Sequence, residues 1–594
     1  MFTTRPELLC TFGAVGSTHW LASQTGMAML ERGGNAFDAA VAAGFVLQIV
    51  EPHLNGPGGE VPMIIHSAAE DKTTVVCGQG TAPAAATIAR YRDQGHRLMP
   101  GTGLMSAVVP GAFDAWLMIL RDHGTMSLAE VLEPAIGYAE NGFPVVPRIA
   151  WAVQSVAALF RDHWPSAAAV WLADGGPKAG ALFRTPGIAA TYKRLAAESA
   201  AANGNREAGI EAARRAWSSG FVAAEIDRFC RENELIDTTG ERHGGVLTGA
   251  DMAAWQATYE DPLTYDYHDY TVYKTGPWGQ GPVFLQQLAL LKGFDLSAMD
   301  PTGPDFAHVV VECAKLAFAD REGYYGDPDF VDVPMDRLLD DAYSDIRRAR
   351  ISDRASPDPV PGEIDGFDPV IDSEAPARAA MKEQYDAIGG GEPTIAKTGA
   401  TAGDTCHIDV VDRWGNMVSA TSSGGWLQSS PAIPELGFCL TNRGQMFWLD
   451  HSLPAALAPG KRPRTTLTPS FAYRDGKPYM AFGTPGGDQQ DQWSLLFFLR
   501  HVHHGMDLQA AIDCPSFHTL HFPSSFFPRG SHPNVVRVEG RLPSATIEGL
   551  RHLGHEVEVD EDWSLGRVSA VARDGDLIKA AANPRGMQGY AVGR

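Results

Sequence analysis

The chain lacks the features that mark several common classes of protein. Lysine and arginine total 48 against 71 aspartate and glutamate, and the net charge of −23 opposes binding to nucleic acid or to an anionic membrane. No apolar run reaches the roughly 18 residues that span a bilayer, and residues 1–7 show no signal-peptide pattern. We therefore expect a cytoplasmic protein that partners neither nucleic acid nor membrane.

Motifs for cofactors, metals and familiar nucleophiles are also scarce. The seven cysteines are scattered, odd in number and without C-x-x-C spacing, which favours reduced, buried thiols. The chain contains no G-x-S-x-G, no H-E-x-x-H and no complete P-loop, and His501-Val502-His503-His504 is only a weak metal candidate. We expect no cofactor and no metal, and the sequence gives no oligomeric state.

What the chain does contain is an abrupt change of character before Thr405. Residues 354–404 are rich in proline, glycine, serine and acidic residues, which predicts a mobile linker. A strand pattern begins at Thr405, turns at Trp414-Gly415-Asn416 and continues as a second strand from Met417 to Thr421. A linker without chemistry would give the same pattern, so this transition alone does not fix the function.

Thr405 is suited to a particular chemistry. A threonine hydroxyl is a weak nucleophile that needs a base, and a free α-amino group with a pKa of about 7.7 to 8.0 can serve as that base. The hydroxyl would first cleave the Asp404–Thr405 bond by an N-to-O acyl shift followed by hydrolysis. The hypothesis is a self-processed enzyme in which Thr405 supplies both nucleophile and base.

Elsewhere the patterns predict sheet layers covered by helical layers. The expected elements are helices from about 19 to 32 and 36 to 50, a strand from 62 to 66, mainly helical structure from 105 to 350, a hairpin of 471–473 with 479–482, and a helix from 493 to 503.

Several long segments, in order along nearly the whole chain, resemble the γ-glutamyltranspeptidase family of N-terminal nucleophile hydrolases. They are GGNAFDAAVAA (33–43), VVPGA (108–112), GFPV (142–145), KLAFADR (315–321), GDPDFVDVP (326–334), PGKRP (459–463) and GTPGG (483–487). The resemblance implies an α+β fold, a four-layer αββα sandwich. It also implies a large subunit of residues 1–404 and a small subunit of residues 405–594, which together act on a small-molecule amide.

The resemblance also assigns site residues. Thr405 matches the catalytic threonine, and Thr421 and Ser423 match hydroxyls that hold it. Gly486 and Gly487 match the pair whose N–H groups form the oxyanion hole. Thr421 and Ser423 could equally be ordinary strand residues, and Pro-Gly-Gly is commonly a turn.

Two neighbours of Thr405 are rival candidates. Cys406 is a conceivable nucleophile, but strand alternation places its side chain on the opposite face from Thr405. His407 adjoins Cys406, yet the side chains of adjacent strand residues diverge, which favours a structural histidine.

The residues that would bind substrate depart from the family pattern. Gln79 stands where the family has an arginine for the α-carboxylate, and Met446 replaces the aspartate that binds the α-amino group. Losing a charge-assisted hydrogen bond typically costs about 1.5 to 3 kcal/mol, so γ-glutamyl substrates such as glutathione are disfavoured. Thr465 and Thr466 replace paired serines and retain some capacity to bind a carboxylate.

Two arginines, Arg443 and Arg464, lie close in sequence to Met446 and Thr465. Each could grip a carboxylate or could be structural. The combination resembles the branch of the family that contains oxamate amidohydrolase, which implies release of ammonia from a small amide with a carboxylate and no amino group. The short interval between residues 446 and 465 predicts an open pocket and transfer to water.

Three alternatives remain open from the sequence. The first is a γ-glutamyl hydrolase or transpeptidase with a rearranged pocket. The second is a cephalosporin-acylase-like enzyme with Trp426 and Phe447 as apolar walls. The third is a non-catalytic binding protein on the same scaffold.

Overall fold

Two antiparallel seven-stranded sheets form the centre of the computed structural model, which describes residues 2–202, 204–358, 360–379 and 405–594. The strands are β1 (Leu8–Cys10), β2 (Gly13–Ser17), β3 (Met63–Ser67), β4 (Lys72–Cys77), β5 (Phe143–Pro144), β6 (Leu182–Phe183), β7 (Glu234–Ile236), β8 (Arg242–Gly244), β9 (Thr258–Glu260), β10 (Leu263–Tyr267), β11 (Tyr270–Lys274), β12 (Cys406–Asp412), β13 (Met417–Ser422), β14 (Ser470–Arg474), β15 (Lys477–Gly483), β16 (Phe517–Thr519), β17 (Val535–Glu539), β18 (Glu556–Asp560), β19 (Ser569–Asp574), β20 (Leu577–Ala582) and β21 (Tyr590–Gly593).

One sheet has the order β1-β20-β19-β15-β14-β11-β10, and the other has the order β21-β2-β12-β13-β3-β4-β9. Each sheet therefore combines strands from both sides of residue 404. A cluster of apolar side chains that includes Ile64, Val411, Phe471 and Val571 fills the space between the sheets.

Helices cover the outer faces of both sheets. They are α1 (Trp20–Glu31), α2 (Ala36–Val50), α3 (Ile88–Asp93), α4 (Ala112–Asp122), α5 (Leu128–Asn141), α6 (Pro147–Ser155), α7 (Ala157–His163), α8 (Pro165–Trp171), α9 (Pro186–Ala201), α10 (Arg206–Ser218), α11 (Phe221–Glu232), α12 (Gly249–Ala254), α13 (Pro282–Leu291), α14 (Pro304–Tyr324), α15 (Met335–Leu338), α16 (Asp341–Arg348), α17 (Ala375–Ala379), α18 (Gln490–His504), α19 (Leu508–Asp513) and α20 (Ser544–His552).

The two outer layers have separate cores. Helices α1, α2, α4 and α5 pack on the sheet that contains β12, and α13, α14 and α18 pack on the sheet that contains β15. The order of layers is helix, sheet, sheet, helix, which confirms the predicted αββα sandwich.

The early helices follow the sequence signals closely. Helix α2 spans Ala36–Val50, and the Asn35 side chain accepts hydrogen bonds from the backbone N–H groups of Phe37 and Asp38 in a capping box. All of its residues are buried, because α2 lies between the sheet and the outer helices. Glu51, at the end of the helix, accepts a hydrogen bond from Cys406, the residue that follows Thr405.

The region from 105 to 350 is less uniformly helical than its pattern suggests. It also supplies β10 and β11, and β11 pairs with β14 from the C-terminal part of the chain. In the predicted linker, Ile364 and Ala375 are buried, whereas residues 380–404 lie outside the described residues. No helix within the described ranges has both the length and the apolar character needed to cross a membrane, and the cytoplasmic location stays a prediction.

Candidate functional site

Thr405 lies immediately before β12, at an edge of the sandwich. Cys406 pairs with Ser422 in the β12–β13 ladder, so Thr405 stands opposite Ser423. The two hydroxyl oxygens, Thr405 Oγ1 and Ser423 Oγ, are 3.5 Å apart, and both residues are buried. The structure thus brings together two of the predicted site residues, while Asp404, the other half of the predicted cleavage site, lies outside the described residues.

The next two residues of β12 face opposite layers. Cys406 Sγ donates to Glu51 Oε2 at 3.1 Å in the helical layer, and burial raises the pKa of this thiol well above its usual value. His407 faces the other sheet, where its ring lies 2.3 Å from the point that a Cβ on Gly483 would occupy. A Cys406–His407 pair is therefore not formed.

His407 is held by hydrogen bonds at both ring nitrogens. Nδ1 lies 2.9 Å from Thr421 Oγ1, and Nε2 lies 2.8 Å from Asp409 Oδ1. Asp409 in turn accepts a hydrogen bond from Ser569 Oγ at 2.7 Å. This arrangement gives His407 a structural role. The Thr421 hydroxyl contacts His407, and Thr421 lies two residues before Ser423 on the same side of the strand.

The two glycines predicted to form the oxyanion hole follow β15. Gly486 has φ 140° and Gly487 has φ 54°, and a Cβ on Gly486 would lie 2.2 Å from the indole ring of Trp493. Only glycine fits this backbone at position 486. Helix α18 begins directly after the loop, so the partial positive charge of its N-terminus lies beside the two N–H groups.

Buried charges hold this loop from behind. Asp488 Oδ1 accepts from Arg321 Nη1 at 2.5 Å and from the Ser525 hydroxyl at 2.6 Å. Gln280 Nε2 donates to the Gly487 and Asp488 carbonyl oxygens, at 3.4 Å each. Burial opposes ionisation of Asp488, but Arg321 and Ser525 outweigh it and hold its pKa below the usual value.

Arg464 belongs to the same buried group of charges. Its Nη2 donates to Glu322 Oε1 at 2.6 Å, and its Nη1 donates to the Arg321 carbonyl oxygen at 3.1 Å. Glu322 also binds Arg321, so Arg464 supports the network behind the glycine loop. These contacts favour the structural role for Arg464 over the substrate-binding role.

Arg443 has a different setting, next to Glu60, whose backbone pairs with Ser423. Its Nε donates to Glu60 Oε1 at 2.5 Å, and both side chains are buried. Glu60 forms a bridge with Ser423 through two backbone hydrogen bonds, of 2.9 and 3.1 Å. Arg443 Nη2 has no hydrogen-bond acceptor among the described residues. The N–H groups of this guanidinium nitrogen are thus available to a ligand, and they belong to a side chain that Glu60 links to Ser423.

An apolar cluster of Trp426, Met446 and Phe526 lies beside Arg443. Arg443 Nη1 lies 3.8 Å from Met446 Sδ, and its guanidinium carbon lies 5.8 Å from the centre of the Trp426 ring. Met446 thus presents an apolar surface at the position where the family's aspartate is expected. Phe447, the other predicted apolar wall, belongs to a separate cluster.

The other predicted binding residues are buried polar groups. Gln79 Nε2 donates to the Gly80 carbonyl oxygen at 3.1 Å, and Thr465 Oγ1 accepts from the Leu467 N–H at 3.3 Å. Gln79 Oε1 and Thr466 Oγ1 have no partner among the described residues. Buried polar atoms are normally satisfied, so these two atoms are available to water or to a ligand.

Two residues of this region escaped the sequence analysis. Arg567 Nη2 donates to the carbonyl oxygen of Thr405 at 3.3 Å, and Glu60 pairs with Arg443. Neither lies in a motif, and Glu60 is 383 residues away from its partner. No local pattern in the sequence therefore points to these contacts.

The described residues contain one group with metal-binding spacing, formed by His308, Glu312 and His555. Glu312 Oε1 accepts from Lys315 Nζ at 2.7 Å, and His308 Nδ1 lies 2.8 Å from His555 Nε2. A cation there would have to displace the Lys315 ammonium group. The His501–His504 segment is a hydrogen-bonding segment in which His501 and His503 bind the tyrosines Tyr479 and Tyr267.

Comparison with known proteins identifies the family of this chain. The Gamma-glutamyltranspeptidase family model matches residues 22–593. The glutathione hydrolase-like YwrD proenzyme of Bacillus subtilis is 31% identical over 587 residues, and the oxamate amidohydrolase proenzyme of Klebsiella pneumoniae is 30% identical over 596 residues; each alignment covers 98% of both chains.

Two solved structures agree along the whole chain. LmbA2991 is 55% identical with a TM-score of 0.93 and covers 100% of both chains. The cephalosporin acylase from Bacillus halodurans is 27% identical with a TM-score of 0.83, covering 100% of this chain and 98% of its own. The site, the four-layer fold and these matches lead to one conclusion: the chain belongs to the γ-glutamyltranspeptidase family of N-terminal nucleophile hydrolases and is an amidohydrolase made as a proenzyme.

Proposed function

We propose that the chain cleaves itself between Asp404 and Thr405 and then hydrolyses the amide of a small, carboxylate-bearing acyl group such as oxamate. The single observation that carries the choice of substrate is Arg443, whose Nη2 has no acceptor among the described residues and whose ion-pair partner Glu60 is bridged to Ser423, the residue opposite Thr405. A guanidinium donates to carboxylates with good geometry. The proposal requires that a carboxylate bound there leave its neighbouring amide carbonyl within reach of the Thr405 hydroxyl.

The proposed reaction uses groups of this chain alone. The Thr405 hydroxyl attacks the amide carbon, and its freed α-amine takes the hydroxyl proton and passes it to the departing ammonia. The Gly486 and Gly487 N–H groups would bind the oxyanion, and the Ser423 hydroxyl would orient the nucleophile. Water then attacks the acyl-enzyme and releases the acid.

The surroundings of Arg443 disfavour an amino-acid substrate. Met446, Trp426 and Phe526 form an apolar surface where a substrate ammonium would need a carboxylate partner. Glu60 is the nearby carboxylate, and its Oε1 binds Arg443. Burying an unpaired ammonium is costly, so γ-glutamyl amides rank below oxamate-like amides.

A second candidate function is an acylase for bulkier, apolar acyl groups. The same Trp426–Met446–Phe526 surface favours it, because apolar side chains next to the proposed Arg443 binding site would bind an apolar acyl chain. The structure of cephalosporin acylase is similar along the whole chain, which supports this alternative as well.

One substrate panel separates these candidates. Purified, cleaved enzyme is given oxamate, a γ-glutamyl anilide and an aliphatic acyl anilide, and ammonia or aniline release is measured as kcat/KM. The proposal expects oxamate to be turned over fastest. Faster turnover of the γ-glutamyl anilide would overturn it in favour of a rearranged γ-glutamyl pocket, and faster turnover of the aliphatic anilide would favour the acylase.

A further inference from the structure

Arg567 touches both halves of the proposed catalytic site. Its guanidinium Nη2 donates to the carbonyl oxygen of Thr405 at 3.3 Å, and its backbone N–H donates to Thr484 Oγ1 at 2.9 Å. Thr484 begins the loop that leads to Gly486 and Gly487. The side chain is 1% exposed, so its charge acts in a poorly solvated place.

Among the described residues, a carboxylate from the other side of the cleavage point lies close to this guanidinium. Glu51, at the end of α2, has Oε1 4.0 Å from Arg567 Nη1. The other oxygen of Glu51 accepts from Thr18 Oγ1 at 2.6 Å and from Cys406 Sγ at 3.1 Å. The contact between Arg567 and the Thr405 carbonyl is therefore shorter than its contact with Glu51.

Resting on the proposed function, we propose that Arg567 is a positioning residue that fixes the backbone of Thr405 and keeps its freed α-amine unprotonated at neutral pH. The amine and the carbonyl belong to one residue, so a guanidinium bound to the carbonyl lies close to the amine. An ordinary α-amino group has a pKa of about 7.7 to 8.0 and is mostly protonated at pH 7, when it cannot accept a proton. A nearby cation disfavours the protonated form.

Two described histidines of the surrounding elements add no charge at neutral pH. His19 caps α1, and burial lowers its pKa to about 4. His53 follows α2, and burial, assisted by Arg148 and Arg567, lowers its pKa well below its usual value. Both histidines are neutral at pH 7.

Three further described groups belong to these surroundings: a thiol, a second cation and an ion pair. Cys406 stays a thiol, because burial raises its pKa. Arg148 adds a second positive charge near His53. Beyond Ser423, Glu60 and Arg443 neutralise each other as an ion pair.

The proposal predicts opposite shifts from two substitutions. Arg567→Gln removes the cation and should raise the acid-limb pKa of kcat/KM by about one unit, which is about a tenfold loss of kcat/KM at pH values below both pKa values. Glu51→Gln keeps the hydrogen-bond capacity toward Thr18 and removes the anion, so it should lower the same pKa. Arg567→Lys keeps the charge and should keep the acid limb while lowering kcat.

The test is a pH profile of the full-length, self-cleaved enzyme, using the amide from the substrate panel that the wild type hydrolyses fastest. Arg551→Gln is the matched control, because Arg551 is an exposed arginine of the small subunit paired only with Glu548 among the described carboxylates. Opposite shifts for Arg567→Gln and Glu51→Gln, with none for the control, support the proposal. Equal losses at every pH, or shifts of the same sign, overturn it.

Processing is checked separately by mass spectrometry. If Arg567→Gln does not fold or cleave, the Glu51→Gln profile decides the matter alone, since an unshifted or raised acid limb there contradicts the proposal. Wild-type protein that is active without a fragment beginning at Thr405 would instead refute the proposed function itself. The two failures are thus distinguishable.

Discussion

Substitutions of Arg443 and Glu60 should affect the stability and the activity of the protein differently. Both side chains are buried, and their 2.5 Å contact joins residues on either side of the cleavage point. Arg443→Met leaves the Glu60 carboxylate without this partner, which should cost about 3 to 5 kcal/mol of unfolding free energy. The double variant with Glu60→Gln removes both charges and should recover most of that loss.

Activity should not recover in the double variant. If Arg443 binds the substrate carboxylate, its loss removes a charge-assisted hydrogen bond worth about 1.5 to 3 kcal/mol, or roughly a tenfold to 150-fold drop in kcat/KM. Urea unfolding reports stability, and ammonia release from oxamate reports kcat/KM for the wild type, the single variant and the double variant. A double variant with wild-type kcat/KM would refute the assignment of Arg443 to substrate binding.

Three further predictions concern the loop, its charges and the neighbouring thiol. Gly486→Ala should lower kcat at least about a hundredfold, because the new Cβ would lie 2.2 Å from an indole ring and the backbone has φ 140°. Gly505→Ala is the control, since the space around its Cβ position is open, and it should leave kcat unchanged. Equal kcat values for the two variants would contradict this prediction. The pKa of Asp488 is held below its ordinary value of 3.8 by Arg321 against the effect of burial, so its contribution to stability is present above that value and is lost as pH falls through the folded pKa. Urea midpoints measured from neutral to acid pH should therefore fall more steeply in the wild type than in Asp488→Asn, and parallel curves would be inconsistent with this. Iodoacetamide should not inactivate the enzyme at neutral pH, because burial raises the pKa of the Cys406 thiol. Rapid inactivation with labelling of Cys406 would instead support Cys406 as the nucleophile.

Much of the fold near the site could be predicted because its signals are local. The predicted helix from about 36 to 50 agrees with α2, whose start is capped by Asn35 and whose end at Glu51 comes directly before Pro52. Strand alternation after Thr405 correctly separated Cys406 from His407. These features depend on residues a few positions apart, where periodicity and capping are informative.

The contacts that the sequence could not supply join distant residues. Arg464 looked like a substrate-binding cation from its position near Thr465, but its partners Arg321 and Glu322 are more than 140 residues earlier in the chain. Arg567 lies 162 residues from Thr405, in a segment without a motif. Tertiary packing alone decides whether such a cation meets a substrate, a carbonyl oxygen or a buried carboxylate.

The most direct test of the central claim is mass spectrometry of the purified wild-type protein beside Thr405→Val, in which a methyl group replaces the hydroxyl. The wild type should give a fragment of residues 405–594 and hydrolyse its amide substrate, and the variant should stay intact and inactive. A wild-type chain that stays intact yet hydrolyses amides, or a Thr405→Val variant that still cleaves itself and turns over substrate, would contradict a mechanism built on the Thr405 hydroxyl and its freed amine.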